Sequence, residues 1–170
     1  MYREGIGNRL PLIFNPISMP YYIKPKKNAE RKPKKAPSLS TLIDRLDKVF
    51  SKYIRLRDAM PSGLFRCISC GQIKPLEQAD CGHYYSRTHM GTRFDEDNCH
   101  AECRFCNRFK ADHMIGYRDN LERKIGSQRL QLLSVKAHGT HKFAHFEIEQ
   151  LIKYYRVRVE MLQKEKEIRL

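Results

Sequence analysis

The sequence predicts an α+β protein in which a small metal-bound core of short strands and turns sits between helical segments. Three observations lead there. Two Cys-x-x-Cys pairs, Cys67/Cys70 and Cys103/Cys106, bracket a stretch of mixed strand and turn character. Apolar residues recur at spacings of three and four on both sides of that stretch, the period of a helix face. The 170 residues, 41% of them apolar, suffice for one compact domain with appendages.

In chain order, residues 1–37 read as a basic N-terminal arm or linker. Its first 22 residues are apolar only in patches and are interrupted by Pro11, Pro16 and Pro20. Residues 24–37 then hold seven Lys or Arg against one Glu, with three prolines. Proline and charge repulsion both oppose a helix there. A strap on phosphates and a solubilising or targeting run fit it equally. Segment 38–62 is a helix that Ser38 or Ser40 can cap. Leu39, Leu42, Ile43, Leu46, Val49, Phe50, Tyr53 and Ile54 form its apolar stripe, and Pro61-Ser62-Gly63 ends it. Segment 63–126 is the core proper. It closes with a helical stripe of Met114, Ile115, Tyr117, Leu121 and Ile125, stopped by Gly126. Segment 127–170 is a helical extension. Leu130, Leu132, Leu133 and Val135 mark a short helix over 128–137, and a long one starts near Phe143 and runs through Ile148, Leu151, Ile152, Tyr155, Val159 and Leu162. Its charge-alternating tail, 164–169, is expected in solvent.

Lys and Arg outnumber Asp and Glu by 33 to 19, a net charge of +14 with His neutral. Such a surplus on a small chain points to a polyanion, DNA above all, because phosphate neutralisation releases counterions. A merely solubilising cationic surface is the alternative. No apolar run is long enough to span a bilayer and no signal-peptide core is present, so neither membrane insertion nor export is expected. The natural setting is a reducing cytoplasm. There the six cysteines read as metal ligands plus two spares, not as disulfides.

The chemistry concentrates in the core. Gly71 directly follows the first pair, as a tight knuckle turn requires, and Asn107 follows the second, Asn being the next residue most tolerant of a left-handed backbone. Cys67, Cys70, Cys103 and Cys106 are therefore expected to hold one structural Zn2+. Cys81, Cys99 and His100 could compete as ligands, but neither cysteine has a partner at knuckle spacing, so small buried thiols beside the site are the expected role of the two cysteines. His83 follows Asp80 and Gly82 and precedes Asn98 and Asn107. A neutral imidazole can deprotonate water near neutral pH, and a hard cation on carboxylate or amide oxygen can stabilise a phosphodiester under attack. Arg87, Arg93, Arg104, Arg108 and Lys110 crowd the same region as candidate phosphate contacts, with a solvated basic face as the alternative. Tyr84 and Tyr85 could stack on bases or simply pack.

The order His83, Asn98, Asn107 resembles that of the HNH, or ββα-metal, nucleases. The four cysteines with an Asn after the last also resemble the phage endonuclease VII group. The motifs Arg66-Cys-Ile-Ser-Cys-Gly71, Asp80-Cys-Gly-His-Tyr84, Arg93-Phe94, Asn98-Cys-His100, Cys103-x-x-Cys-Asn107, Tyr117-Arg118 and Lys124-Ile-Gly126 resemble the NinG/Rap recombination protein family of lambdoid phages, over roughly residues 40–160. These resemblances imply a zinc-stabilised ββα-metal core flanked by helices, with His83 ending the first strand as general base. Asn98 would brace the loop from the second strand, and Asn107 would bind Mg2+ or Mn2+ as it opens the helix. Many HNH sites place an Asp or His ligand just before the base, and here that neighbour is Gly82, so Asp80 is the candidate second ligand. The implied activity is endonucleolytic cleavage of branched recombination intermediates, Holliday junctions and D-loops, in the bacterial host cytoplasm. The N-terminal tail departs from the family's cysteine-containing, Lys/Glu-rich start, and no function carries over to it. A sequence-directed HNH nickase and a non-catalytic zinc module that only binds DNA are the rivals. Paired cuts at a two-fold junction would suit a homodimer, with the last helix as one candidate interface.

Overall fold

The computed structural model describes residues 36–170, which form one compact unit. The expectations for the basic arm up to residue 35 lie outside the described residues. Segments 38–62, 63–126 and 127–170 share that single unit.

Helix α1 spans Leu39–Asp58. It starts where the extended Ser38 turns its Oγ to accept the Thr41 N–H at 3.3 Å, satisfying a donor that the first helical turn leaves orphaned. Leu42, Leu46, Phe50, Tyr53, Ile54 and Leu56 are buried along one face. Their partner is the last helix, α5, which spans His145–Lys166 and buries Ile148, Ile152, Tyr155 and Val159. The seam is aromatic: the Tyr155 ring lies 4.9 Å from those of both Phe50 and Tyr53, and Phe94 meets Phe50 edge-on at 5.7 Å. Phe143 precedes α5 instead of opening it and packs against Phe94 at 5.8 Å. The chain end also departs from expectation. Lys166 donates to the carbonyls of Leu56, Arg57 and Ala59 at 2.9, 3.1 and 2.6 Å, and Ile168 and Leu170 pack on the core. A cation at the exposed carbonyl end of α1 completes its hydrogen bonding and complements its dipole, which the alternating charges of the tail did not foretell.

Two short hairpins fill the space beside α1. Strands β1 (Leu64–Arg66) and β2 (Ile73–Pro75) pair antiparallel, with the first cysteine pair in their connection. A 3-10 turn at Leu76–Gln78 leads into β3 (Ala79–His83), which pairs antiparallel with β4 (Cys99–Cys103) in the register His83 opposite Cys99 and Ala79 opposite Cys103. Helix α2 (Arg104–Phe109) follows β4 without a break.

Helices α3 (His113–Ile125) and α4 (Ser127–His138) meet at Gly126, whose φ of +82° only glycine adopts freely. A Cβ on Gly116 would come within 2.2 Å of the Ser69 carbonyl, so its absence lets α3 press onto the first knuckle. The stripes expected on these helices are only partly buried. Tyr117, Leu121 and Leu133 reach the core, whereas Ile115, Leu132 and Val135 remain 68%, 54% and 71% exposed. This helical pair covers only a small apolar cluster, Tyr117, Leu121 and Leu133 with Ile68, so one narrow side is buried.

Candidate functional site

Four sulfurs converge where the two hairpins meet. Cys67 and Cys70 come from the β1–β2 connection, Cys103 ends β4 and Cys106 lies in α2, and all four Sγ atoms fall within 4.8 Å of one another. Tetrahedral zinc, with Zn–S bonds of about 2.3 Å, sets sulfurs roughly 3.8 Å apart, so small side-chain rotations suffice. Gly71 takes φ +71°, as the knuckle turn demands, and its N–H bonds the Cys67 carbonyl at 2.9 Å. The Cys103 N–H donates to Cys67 Sγ at 3.3 Å. Burial pushes the Cys67 thiol up to about 11 and raises Cys106 as well. At Cys70 burial works the same way but is outweighed by the Gln72 N–H and the neighbouring thiols, leaving it below its ordinary value. A dication such as zinc is the charge that would let all four ionise together. The left-handed turn expected at Asn107 does not occur. Glu167 alone among the described non-glycine residues has positive φ, and Asn107 is helical. Cys103 is the N-cap of α2 and Cys106 belongs to its first turn, so helical winding itself brings the second pair together.

Beside this centre lies a cavity of about 470 Å³. Asp80, Cys81 and His83 of β3, Asn107 and Arg108 of α2, Asp47 and Phe50 of α1, and Arg87 of the loop after β3 line it. His83 ends β3, with Nδ1 3.2 Å from the Cys81 carbonyl and Nε2 3.2 Å from that of Arg93. Burial first, and the Arg87 charge second, hold its pKa below the ordinary imidazole value. Asp80 accepts from Asn107 Nδ2 at 3.1 Å and from Arg108 Nε and a terminal nitrogen at 2.7 and 2.9 Å. Burial tends to raise its pKa, but those donors prevail and hold the carboxyl below the usual range. Asn98 stands one residue before β4, wholly buried. Its Oδ1 accepts the Tyr85 N–H at 2.7 Å and its Nδ2 donates to the Tyr85 and Thr92 carbonyls at 2.9 and 3.0 Å, tying the ends of the β3–β4 loop.

The five basic candidates are used differently. Arg87 is exposed at the cavity mouth, and Lys110 is exposed near Asp112. Arg104 donates to the Glu77 carbonyl at 2.7 Å, while Arg108 grips Asp80 with its side chain still 54% exposed. Arg93 instead clamps Asp47 through two nitrogens, joining the loop to α1. Tyr84 and Tyr85 pack on each other at 4.9 Å, and Tyr84 meets Tyr117 at 5.8 Å.

Two polar groups, Glu102 fully buried and Asp58 largely so, gave no sign in the sequence. Glu102, with no exposed surface, accepts from the Ser69 hydroxyl and lies 2.7 Å from His113 Nδ1. A Cβ on Gly82 would fall 2.4 Å from its Oε2 and 2.8 Å from its Cβ, so the residue before His83 has no room for a side chain. Asp58 accepts the Ala101 N–H at 2.8 Å and is flanked by Arg57, Lys124 and His100. His100, 2% exposed, thus belongs to a structural network between α1, β4 and α3, away from the four sulfurs.

Among the described residues, no helix is long and apolar enough to cross a membrane. No solved structure matches the chain. Curated relatives do. It is 30% identical over 129 residues to protein ninG of Escherichia phage lambda, covering 75% of this chain and 57% of that protein. It is 32% identical over 103 residues to protein ninG of Escherichia phage 933W, covering 59% and 48%. To protein ninG of Salmonella phage P22 it is 36% identical over 86 residues, covering 49% and 39%. The matched region thus spans about half the length of these relatives. The family model described as "Bacteriophage Lambda NinG protein" matches residues 23–166, most of this sequence, and the chain belongs to the NinG family.

Proposed function

We propose that this chain is a metal-dependent endonuclease that hydrolyses DNA phosphodiesters in branched recombination intermediates such as Holliday junctions and D-loops. The observation that carries the reading is the single cavity bordered by His83, Asp80 and Asn107, with Arg87 and Arg108 at its edge. In this reading β3, β4 and α2 are the two strands and helix of a ββα-metal unit, and the four-cysteine centre fixes α2 against the hairpin. His83 faces a carbonyl at 3.2 Å with each ring nitrogen, Cys81 with Nδ1 and Arg93 with Nε2. In the tautomer that donates Nε2–H to Arg93, Nδ1 is unprotonated and takes a proton from water once the ring turns it off the Cys81 carbonyl. Asp80 and Asn107 offer the oxygen donors that a hard cation prefers, and bound Mg2+ or Mn2+ would neutralise charge on the phosphate and the departing 3′ oxygen. Arg108 exchanges the Asp80 carboxylate for a DNA phosphate as substrate enters, its exposed side chain leaving it free to turn. Asn98 holds the loop that presents the Arg93 carbonyl. For paired cuts two copies are needed, and the outward Tyr154, Val157 and Met161 of α5, 49%, 56% and 60% exposed, supply a face for self-association.

Branched DNA should be cut in preference to a linear duplex of the same sequence. At a branch the strands already diverge and unstack, so seating a phosphate in a recessed site costs less deformation. A competition with matched arm sequences at near-physiological salt measures this. Equal cleavage, or cutting that follows one sequence wherever it is placed, would favour the sequence-directed nickase.

The His83 environment adds a pH signature. The base form is the neutral ring, so kcat/KM should rise with pH through the folded-state pKa and level off above it. Because burial and Arg87 lower that pKa, the acid limb should have its midpoint below the ordinary value of about 6.5. Arg87→Gln should move the midpoint upward. A limb centred above neutrality, or one that Arg87→Gln leaves in place, contradicts this role for His83.

A further inference from the structure

Cys81 and His83 lie two residues apart on β3 and so share a face, and Cys99 stands directly opposite His83 across the ladder. Strand register alone brings the three side chains together. Cys81 Sγ, one ring nitrogen of His83 and Cys99 Sγ fall within 4.8 Å of one another. Bonds of about 2.3 Å to sulfur and 2.0–2.1 Å to imidazole nitrogen place tetrahedral ligands roughly 3.4–3.8 Å apart. Convergence therefore asks for side-chain adjustments of about an ångström, with no movement of the paired backbone. Cys99 is fully buried, whereas Cys81 and His83 open onto the cavity.

We infer that Cys81, His83 and Cys99 form a second metal site, for a soft divalent cation of the zinc or cadmium class, sharing no ligand with the four-cysteine centre. Two sulfurs and an imidazole suit a thiophilic ion and disfavour Mg2+. Three protein ligands leave a fourth position, which faces the cavity and can hold water. Binding releases two thiol protons to solvent and needs no oxidant. The consequence for activity rests on the endonuclease reading. A soft ion here ties up the imidazole that would accept the proton from water, so the site is inhibitory. Mg2+ on Asp80 and Asn107 then supports the reaction, and the soft ion on His83 opposes it.

The test uses the full chain with its four-cysteine centre zinc-loaded, titrated with Cd2+ in the presence of excess Mg2+ and desalted. Elemental analysis should find one more metal equivalent bound by wild type than by Cys81→Ser or Cys99→Ser, and the thiolate-to-metal charge-transfer absorbance of that equivalent should be missing from both variants. Cys81→Ser guards against misfolding at the buried Cys99 position. Wild type that takes up no second equivalent, or serine variants that keep it, overturns the site. Nicking of branched DNA by the loaded wild type should fall about tenfold or more, as expected when a general base is withdrawn, and recover with a mild chelator. Undiminished nicking with the second ion bound overturns the inhibitory role. A second ion bound by a protein that cuts no DNA in either form leaves the site standing and removes the endonuclease reading instead.

Discussion

His83→Ala should lower the nicking rate by about 10²–10⁴-fold, the usual cost of losing a general base, while binding of branched DNA survives. The two effects separate because the surfaces do. His83 is recessed at the end of β3, whereas Arg87 at the cavity mouth and Arg104 and Lys110 at the two ends of α2 present exposed charge. Phosphate contacts of that kind supply most of the affinity for DNA. Asn107→Ala should also cripple cleavage, and raised Mg2+ or Mn2+ should relieve part of that defect, since a lost ligand weakens metal affinity and a lost base does not. Single-turnover nicking, with a gel-shift titration and circular dichroism on the same preparations, reads all three quantities. A folded His83→Ala protein that cuts at the wild-type rate would remove His83 from the reaction. Wild type that nicks no substrate with any divalent cation would point to the zinc module that only binds DNA.

What the sequence revealed, and what it hid, divides along physical lines. The four-cysteine cluster was legible because Cys-x-x-Cys is a local pattern whose geometry is set within one turn. α1 was legible because its partner, α5, covers a full helical face, so period and burial agree from Leu42 to Ile54. The same period misled in α3 and α4. Periodicity says that a face exists but not that anything covers it, and Ile115 and Val135 stay in solvent. Long-range polar partners were invisible. Nothing near Arg93 in sequence announces Asp47, 46 positions away, and nothing near Lys166 announces the end of α1. Gly82 looked like a missing ligand, but the buried Glu102 side chain occupies the space where its Cβ would point. Asn107 was expected beside the second cysteine pair for its tolerance of a left-handed turn. It lies there in helical backbone, facing Asp80. Asp80 and His83 share β3, and Asn107 of α2 meets them only because β3 pairs with β4 and α2 continues directly from it.

Replacing Cys106 with serine should unfold the centre of the protein, a larger effect on stability than any substitution in the helical seam. The cluster around the four sulfurs is thin. Apart from Phe65 and Leu76, its buried members are alanines and the cysteines themselves. Against the roughly 1–2 kcal/mol lost per residue in ordering backbone, so little apolar area cannot hold two hairpins whose strands are only three and five residues long. Structural zinc in small modules contributes about 10–16 kcal/mol at neutral pH, comparable with or above the 5–15 kcal/mol stability of a whole domain. Wild type should therefore retain about one tightly bound zinc per chain as isolated, since four ligands make one closed site. Cys67→Ser or Cys106→Ser should lose the cooperative thermal transition and most near-ultraviolet dichroism. Part of the helical signal should remain, because α1 and α5 bury their own aromatic seam of Phe50, Tyr53 and Tyr155. Zinc-free wild type that melts cooperatively at an unchanged temperature, by elemental analysis and calorimetry on one sample, would reduce the four cysteines to ordinary buried thiols. The hairpins would then owe their stability to the Asp58 network and to Lys166 at the end of α1, and Asp58→Asn rather than Cys106→Ser would become the substitution that unfolds them.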